Sequence, residues 1–154
     1  MARINVGVNP LFLSDQHLIA ESVEITMIVG ALRRDGWKIK GEVPKRFTLG
    51  KGHINFFKPK LKYLEKRLES VNNEMRNRGF KPTTFINAPD SLSKPLLWGD
   101  WTSTSIDSKV VRERITERLT TPLKAKVGFH KYYGKSIDDM KAFSTKLLFS
   151  ELGI

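Results

Sequence analysis

Three polar side chains recur along the stretch "DQHLIAESVEITMIVGAL", which is otherwise apolar on almost every side. His17, Glu21 and Glu24 stand at positions i, i+4 and i+7, so a helix places them one above another on a single face. An imidazole and two carboxylates in line can bind a metal ion, can provide a catalytic carboxylate with its supports, or can simply face water. The residue types alone leave these three interpretations open.

The net charge of the chain indicates an acidic partner. Lysine and arginine number 27 against 16 aspartate and glutamate residues, which gives a net charge of +11 and an isoelectric point near 10. In a small domain, a basic excess of this size usually reflects binding to a polyanion, most commonly nucleic acid, although it can also serve solubility alone. We therefore expect a nucleic-acid partner, and the composition does not choose between DNA and RNA.

The length and composition predict one self-sufficient domain. A chain of 154 residues, 40% of them hydrophobic, can bury a core of ordinary size without a disulfide or a metal ion. The chain has no cysteine, which excludes thiolate metal ligands, thiol nucleophiles and disulfides. The longest apolar run near the start, "MIVGAL", is too short for a signal core or a bilayer span. We expect a soluble cytoplasmic protein with no membrane partner.

Helical periodicity predicts an all-α fold with three main helices. The first begins near Ser14 or Asp15, either of which can cap its free amides, and ends at about Arg34. The second covers most of "KPKLKYLEKRLESVNNEMRNRGF", with Gly79 as its stop, and the third covers about 104–119. The side chains expected to face the core from the second and third helices are Leu61, Leu64, Leu68, Val71, Met75, Ile106, Val110, Ile115 and Leu119.

A basic loop and a C-terminal extension complete the predicted architecture. "RRDGWKIKGEVPKRF" breaks the helical rhythm at Gly36 and Pro44 and is typical of a basic loop. After "FHKYYGK" the chain becomes amphipathic again, with Ser136 as a candidate cap. No stretch alternates as a strand would. We expect a helical domain over residues 1–137 and an amphipathic helical extension over residues 138–154.

Several stretches, in the same order along the chain, resemble the phage-type pyrimidine-dimer DNA glycosylase/AP lyases called endonuclease V. They are "MARIN", "DQHL-AE--E", "LGKGHINFFKPKL-YL-KR", "RGF", "GDW" and "KYYGK", and together they extend over roughly residues 1–137. The resemblance implies a single compact all-α domain with no metal and no cofactor. It also implies a monomer whose partner is damaged double-stranded DNA.

The resemblance further implies excision of a damaged base followed by strand cleavage. In the family the nucleophile is the α-amine of residue 2, free once the initiator methionine is removed; that residue is Ala2 here, where the family usually has threonine. Glu24 aligns with the catalytic glutamate, which stabilises positive charge on the sugar and assists proton transfer. Glu21 matches a second family glutamate, for which we expect a structural role. His53 and His130 lie in motifs that the family uses without metal, so we expect no metal site.

A set of basic, amide and aromatic residues is predicted to bind DNA. The resemblance assigns Arg3, Gln16 and His17 to the active site and its DNA contacts. The remaining predicted DNA-binding residues are Arg33, Arg34, Arg114, Lys131, Tyr132 and Tyr133. The lysine of "KYYGK" suits phosphate and its tyrosines suit bases, with packing inside the protein as the alternative for the aromatic rings.

The sequence departs from the family at three positions that would meet DNA. Val23, Met27 and Val110 stand where the family has arginines. The loss of these arginines would weaken binding to phosphates unless Arg33, Arg34 and the basic loop replace them. Two functions therefore stay open. The first is a glycosylase with AP lyase activity on a pyrimidine dimer or another altered base. The second is a DNA-binding paralogue that has lost catalysis.

Overall fold

The computed structural model describes residues 3–88, 94–120, 130–137 and 139–148. Its elements, in chain order, are a 3₁₀ turn at Pro10–Phe12, α1 at Asp15–Arg34, α2 at His53–Phe57, α3 at Leu61–Asn77, α4 at Lys94–Leu97, α5 at Ser105–Thr120, the strands β1 at Lys131–Tyr132 and β2 at Lys135–Ser136, and α6 at Met140–Leu148. Helices dominate the described residues, and the two strands form one small antiparallel hairpin. The predicted all-α class is confirmed, with α1, α3 and α5 as its three main helices.

Helix α1 has the limits that its sequence predicted. Ser14 is the N-cap, because its hydroxyl oxygen accepts a hydrogen bond from the backbone N–H of His17 at 3.2 Å. The helix ends at Arg34, after which the chain turns through Gly36 with a φ of 68°. The apolar side chains that it buries are Leu18, Ile25, Ile28, Val29 and Leu32.

Helix α3 packs against α1 and supplies the second half of the core. All five apolar side chains of its predicted inner stripe are buried, namely Leu61, Leu64, Leu68, Val71 and Met75. Gly79 follows the helix with a φ of 90°, a left-handed conformation that glycine adopts at least cost. The N–H of Phe80 then reaches back to the carbonyl of Met75 at 3.0 Å, which closes the helix in a Schellman arrangement.

Helix α5 faces the core with a different side from the one its periodicity predicted. Ile115 and Leu119 are buried as expected, whereas Ile106 and Val110 are exposed, so those two assignments are wrong. The buried positions of the first turns instead hold Ser108, Val111 and Arg112. The guanidinium of Arg112 donates to the hydroxyl of Ser108 at 3.0 Å, and that hydroxyl donates to the carbonyl of Ser105 at 3.1 Å, so both buried polar side chains take part in hydrogen bonds within α5.

The hairpin and α6 follow α5 in the described chain. Tyr133 and Gly134 form its tight turn with φ values of 52° and 78°, a geometry that suits two-residue hairpins. The strands have only two residues each, so no alternating pattern marked them in the sequence. The predicted cap at Ser136 is wrong, since Ser136 belongs to β2 and Asp139 caps α6 by accepting from the N–H of Ala142 at 2.9 Å.

The first described residues are part of the core rather than a free tail. Ile4, Val6 and Val8 are buried in the same cluster as α1 and α3. At the other end of the described chain, α6 packs along α5 and buries Leu147 and Ser144. Among the described helices, none is both long enough and apolar enough to cross a bilayer.

Candidate active site

Glu24 is a buried carboxyl without a structural partner among the described residues. Only 4% of it is exposed, and its Oε1 atom accepts no hydrogen bond from the part of the chain that the structure describes. Burial raises the pKa of Glu24 above its ordinary value, while the nearby positive charges of Arg3 and Arg114 oppose that rise. A carboxyl in this environment can hold or release a proton closer to neutrality than an exposed glutamate, which suits acid–base chemistry.

Glu21, one turn earlier on α1, has the opposite surroundings. It is fully buried and accepts hydrogen bonds from Nε and Nη2 of Arg67 and, at 2.8 Å, from the side-chain amide of Asn5. Arg67 also donates to the carbonyl of Val8 at 2.6 Å. Glu21 therefore ties α1 to α3 and to the N-terminal segment. The water-facing interpretation of the stripe is wrong, because both of its carboxylates are buried.

Arg3 and Ile4 are anchored by hydrogen bonds to the start of α2 and to the segment that precedes it. The backbone N–H of Ile4 donates to Nε2 of His53 at 3.1 Å, and Nε of Arg3 donates to the carbonyl of Leu49 at 2.7 Å. Nδ1 of His53 donates to the carbonyl of Thr48 at 2.7 Å, which leaves Nε2 as the acceptor. Burial lowers the pKa of His53 to about 4, so the neutral acceptor form persists at neutral pH.

The motif "GKGH" forms the entry to α2. Gly52 has a φ of 94° and lies directly before His53, the first residue of the helix. A Cβ atom at Gly52 would come within 2.7 Å of the ring of Pro44, so only glycine fits there. A cleft of about 850 Å³ opens beside this turn, with Arg3 and His53 in its wall. The motif is a helix-entry turn, and it forms one side of the cleft next to Arg3.

Two histidines meet at the N-terminus of α1. The ring centroids of His17 and His130 are 5.0 Å apart, and both Nδ1 atoms contact the hydroxyl of Ser14, at 3.0 and 3.2 Å. One hydroxyl proton serves only one Nδ1, so the other ring must donate its Nδ1–H to the oxygen. Burial lowers the pKa of His17 to about 3, aided by the charges of His130, Arg114 and Arg118. Both of these α5 arginines thus lie near His17.

The hairpin is docked on the first turn of α1. The backbone N–H of Lys131 donates to the side-chain oxygen of Gln16 at 2.7 Å. The two carboxylate oxygens of Asp15 accept from the backbone N–H groups of Tyr133 and Gly134 at 3.1 and 2.8 Å. This contact brings Gln16, His17 and Lys131, predicted from distant parts of the sequence, to one end of α1.

The two hairpin tyrosines make contacts within the protein. The hydroxyl of Tyr132 donates to the carbonyl of Leu11 at 2.9 Å, and that of Tyr133 donates to Glu74 at 2.8 Å. The guanidinium of Arg78 lies 4.5 and 4.8 Å from their ring centroids. Packing thus accounts for part of what these rings do, and their contact with DNA stays a prediction.

The remaining predicted site residues divide into three groups. Arg114 lies close enough to Glu24 to lower its pKa, and close enough to Arg3 and Glu24 for their charges to act on its own guanidinium. Arg33 and Arg34 lie at the far end of α1, about 14 Å along the helix axis from Glu24, and Arg33 donates to the carbonyl of Asn87 at 3.2 Å. Ala2 lies outside the described residues.

Some residues of this region were not identified from the sequence. The sequence indicates Asp15 only as a candidate helix cap, and its role in holding the hairpin has no local signal because its partners are more than 100 residues away. Arg118 had one usable signal, since it follows Arg114 by four residues and a helix places both on one face. Among the described residues, no three His, Asp or Glu side chains are grouped so that they could hold a metal ion.

The chain was compared with known protein families. A model of the pyrimidine dimer DNA glycosylase family matches residues 1–87, more than half of the chain. The protein belongs to this family. Membership confirms the resemblance seen in the sequence and identifies a DNA repair glycosylase family, for which damaged DNA is the ligand. The matched region includes Arg3, Glu24 and His53, whereas α5, the hairpin and α6 follow it.

Proposed function

We propose that this member of the pyrimidine dimer DNA glycosylase family is a DNA N-glycosylase with AP lyase activity. It would excise a damaged pyrimidine, with the pyrimidine dimer as the first candidate, and then cut the strand at the resulting abasic site. The observation that carries the proposal is the buried carboxyl of Glu24, whose Oε1 atom has no partner among the described residues and whose neighbours are Arg3 and Arg114. A structural carboxylate would be paired, as Glu21 is.

The proposed nucleophile is the α-amine of Ala2 after removal of Met1. An α-amine has a pKa of about 7.7 to 8.0, against about 10.4 for lysine, so roughly one in ten is uncharged at neutral pH. The bonds that Arg3 and Ile4 make to Leu49 and His53 support this role. Residue 2 is covalently joined to Arg3, so this anchoring limits the region that its amine can reach to about one residue's length.

Three bond exchanges complete the proposed reaction. The uncharged amine attacks C1′ of the sugar, a C1′–N bond forms while the glycosidic bond breaks, and the base leaves with a proton. The C1′–O4′ bond then breaks, O4′ takes a proton and the nitrogen loses one, which opens the sugar and gives the imine, and the imine acidifies C2′. Removal of a C2′ proton expels the 3′ phosphate through cleavage of the C3′–O bond. None of these exchanges is an oxidation or a reduction.

Glu24 is the group proposed to move protons at this site. Its raised pKa favours the protonated form more than in an exposed glutamate, so it can give a proton to the departing base or the opened sugar. Once ionised, its carboxylate stabilises the positive charge that develops at C1′. Both roles require the oxygen to be free of an internal hydrogen bond, which is the state of Oε1 with respect to the described residues.

The proposed DNA-binding surface surrounds Glu24 and the N-terminal end of α1. Arg3 and Arg114 would meet phosphates beside the reacting sugar, with Gln16, His17 and Lys131 next to them. Arg33 and Arg34 would extend the contact along the duplex, since both are exposed. Tyr132 and Tyr133 also belong to the proposed surface, where the part of each ring that is not packed can meet DNA.

Borohydride trapping on a duplex with one abasic site tests the proposal. The wild-type protein should form a covalent adduct without added metal, and peptide mass analysis should locate the adduct at Ala2. A variant with one extra residue before Ala2, which moves the amine, should form none and should still bind the duplex. Failure of the wild type to trap, or an adduct on a lysine, would contradict the proposal. A panel of lesion-bearing duplexes then identifies the excised base.

A DNA-binding paralogue without catalysis is the second candidate. Val23 and Met27 favour it, because both are exposed apolar residues at positions where the resembled family has arginines. This candidate predicts specific DNA binding with no trapped adduct. The trapping experiment therefore separates the two.

A further inference from the structure

The exposed side of α1 carries an uninterrupted line of apolar side chains. Ile19, Val23 and Met27 follow one another at four-residue intervals and are 43%, 45% and 57% exposed. We call these three residues the apolar ridge, which runs about 12 Å along the helix. Thr26 beside it donates its hydroxyl proton to the carbonyl of Val23 at 2.8 Å, so this donor is already used within the helix.

The exposed side of α1 differs from that of α3. The exposed side of α3 holds charged residues at Lys62, Glu65, Lys66 and Glu69, as expected of a helix that faces water. On α1, by contrast, no charged residue is exposed between Asp15 and Arg33, because Glu21 and Glu24 are buried. Three exposed apolar side chains in line, on a molecule with a net charge of +11, favour a contact surface here.

The position of the ridge identifies the ligand. Val23 directly precedes Glu24 and Met27 follows it by three residues, so the ridge borders the proposed site. Positive charges flank it, with Arg3 and Arg114 beside Glu24 and with Arg33 and Arg34 in the last turn of the helix. A cationic border attracts a polyanion, but apolar side chains cannot pair with its phosphates.

Distorted DNA satisfies both parts of this surface. In a straight duplex the faces of the bases are covered by stacking, whereas a kinked duplex exposes unstacked bases, which proteins contact with apolar wedges that include isoleucine and methionine. We propose that the apolar ridge contacts the unstacked bases and sugars of distorted DNA and so gives the protein its preference for distorted over intact duplex. The inference takes DNA as the ligand from the proposed function, but it does not depend on catalysis.

The double variant Val23→Thr/Met27→Gln tests the ridge. Both changes keep side-chain size and exposed helical positions while removing apolar contact. Affinity is measured by fluorescence anisotropy for an intact duplex and for the same duplex with one tetrahydrofuran abasic analogue, which undergoes no imine chemistry. The preference for the distorted duplex should fall roughly tenfold. About half of each of the two side chains is available for contact with DNA, and the variant loses the free energy of burying that apolar surface. The salt dependence of binding should not change.

Leu96→Gln is the matched control. Leu96 lies on α4 and is 74% exposed, so the substitution removes a similar apolar group from a surface outside α1. This variant should keep the wild-type preference. An unchanged preference in the ridge variant, or an equal loss in the ridge and control variants, would overturn the inference.

Met27→Arg provides a second and opposite test. A cation at this position should bind a phosphate, so affinity for the intact duplex should rise and the slope of log K against log salt should steepen by about one. The preference for the distorted duplex should fall at the same time. A variant that keeps the full preference would contradict an apolar contact at Met27.

A second copy of the chain is the competing occupant. Sedimentation at micromolar concentration should show one species for the wild type and the double variant alike. A wild-type dimer that the double variant dissociates would assign the ridge to self-association instead of DNA. A wild type that fails to trap abasic DNA but shows the ridge-dependent preference would refute the proposed catalysis and leave the ridge inference standing.

Discussion

At the scale of single residues, two glutamates one turn apart on α1 show how surroundings divide roles. Glu21 is held by Arg67 and Asn5, so its charge is fixed and its oxygens are occupied. Glu24 has a raised pKa and an Oε1 atom to which no described residue donates a hydrogen bond. The same residue type therefore serves structure at one position and is suited to chemistry at the other.

Glu24→Gln should separate chemistry from binding. Glutamine keeps the size of the side chain but cannot transfer the proton, so the rate of adduct formation and strand cleavage should fall at least roughly a hundredfold. Affinity for the tetrahydrofuran duplex should stay at the wild-type value. Glu69→Gln, on the exposed side of α3, is the control and should leave both properties unchanged. Wild-type cleavage by Glu24→Gln would remove Glu24 from the mechanism.

Arg67→Met should destabilise the fold strongly. It leaves the buried carboxylate of Glu21 without its main partner, which typically costs about 3 to 5 kcal/mol of unfolding free energy. Urea denaturation measures the loss. The adjacent Lys66→Met removes the exposed ion pair with Asp100 and should cost less than about 1 kcal/mol. Equal losses in the two variants would show that burial does not set the strength of the Glu21 pair.

At the scale of elements, two short segments are held in place by hydrogen bonds from distant parts of the chain. His53 and Leu49 hold the chain at Ile4 and Arg3. Asp15 holds the hairpin through two backbone amides. The N-terminal segment and the hairpin are each too short to be stable alone, so these hydrogen bonds set their positions. Both segments border the proposed site.

His53→Leu and His53→Gln should differ in the chemical step. Leucine cannot accept the hydrogen bond from the N–H of Ile4, whereas the side-chain oxygen of glutamine lies near the place of Nε2 and can accept it. Misplacement of the N-terminal segment should slow adduct formation at saturating DNA by roughly tenfold to a hundredfold in the leucine variant. The glutamine variant should recover most of the rate. Equal rates in the two variants would show that this bond does not position the nucleophile.

At the scale of the whole molecule, the histidines couple stability to pH. Burial lowers the pKa of His17 to about 3 and that of His53 to about 4, and it also lowers the pKa of His130. In the unfolded chain each would titrate near 6.5. Below that pH the histidines are protonated in the unfolded state but stay neutral in the folded state. The free energy of unfolding therefore falls as the pH falls.

Urea denaturation between pH 7.5 and 4 should show this loss of stability. The slope approaches about 1.4 kcal/mol per pH unit for each histidine that is protonated only on unfolding. Glu24 acts with the opposite sign just above its ordinary pKa of 4.5, because its raised pKa lets the folded state bind a proton first. His53→Gln should therefore flatten the profile and Glu24→Gln should steepen it. A profile that is level across this range would contradict the buried neutral histidines.

The sequence by itself determined the elements whose signals are local. The cap at Ser14, the apolar stripe of α3 and the stop at Gly79 each depend on residues within a few positions, so α1 and α3 followed from the sequence. The same holds for the family, because its motifs lie in contiguous stretches over residues 1–87. Net charge likewise predicted a polyanionic partner without any structure.

Only the tertiary structure decided which face of each helix is covered and which polar groups are paired. The inner side of α5 could not be predicted, because periodicity favoured Ile106 and Val110, which are exposed, whereas Arg112 is buried and donates to Ser108. The different fates of Glu21 and Glu24 depend on Arg67, which is distant in sequence from both. Burial and hydrogen-bond pairing depend on segments that come into contact only after folding. Local sequence patterns carry no information about which distant segments will make those contacts.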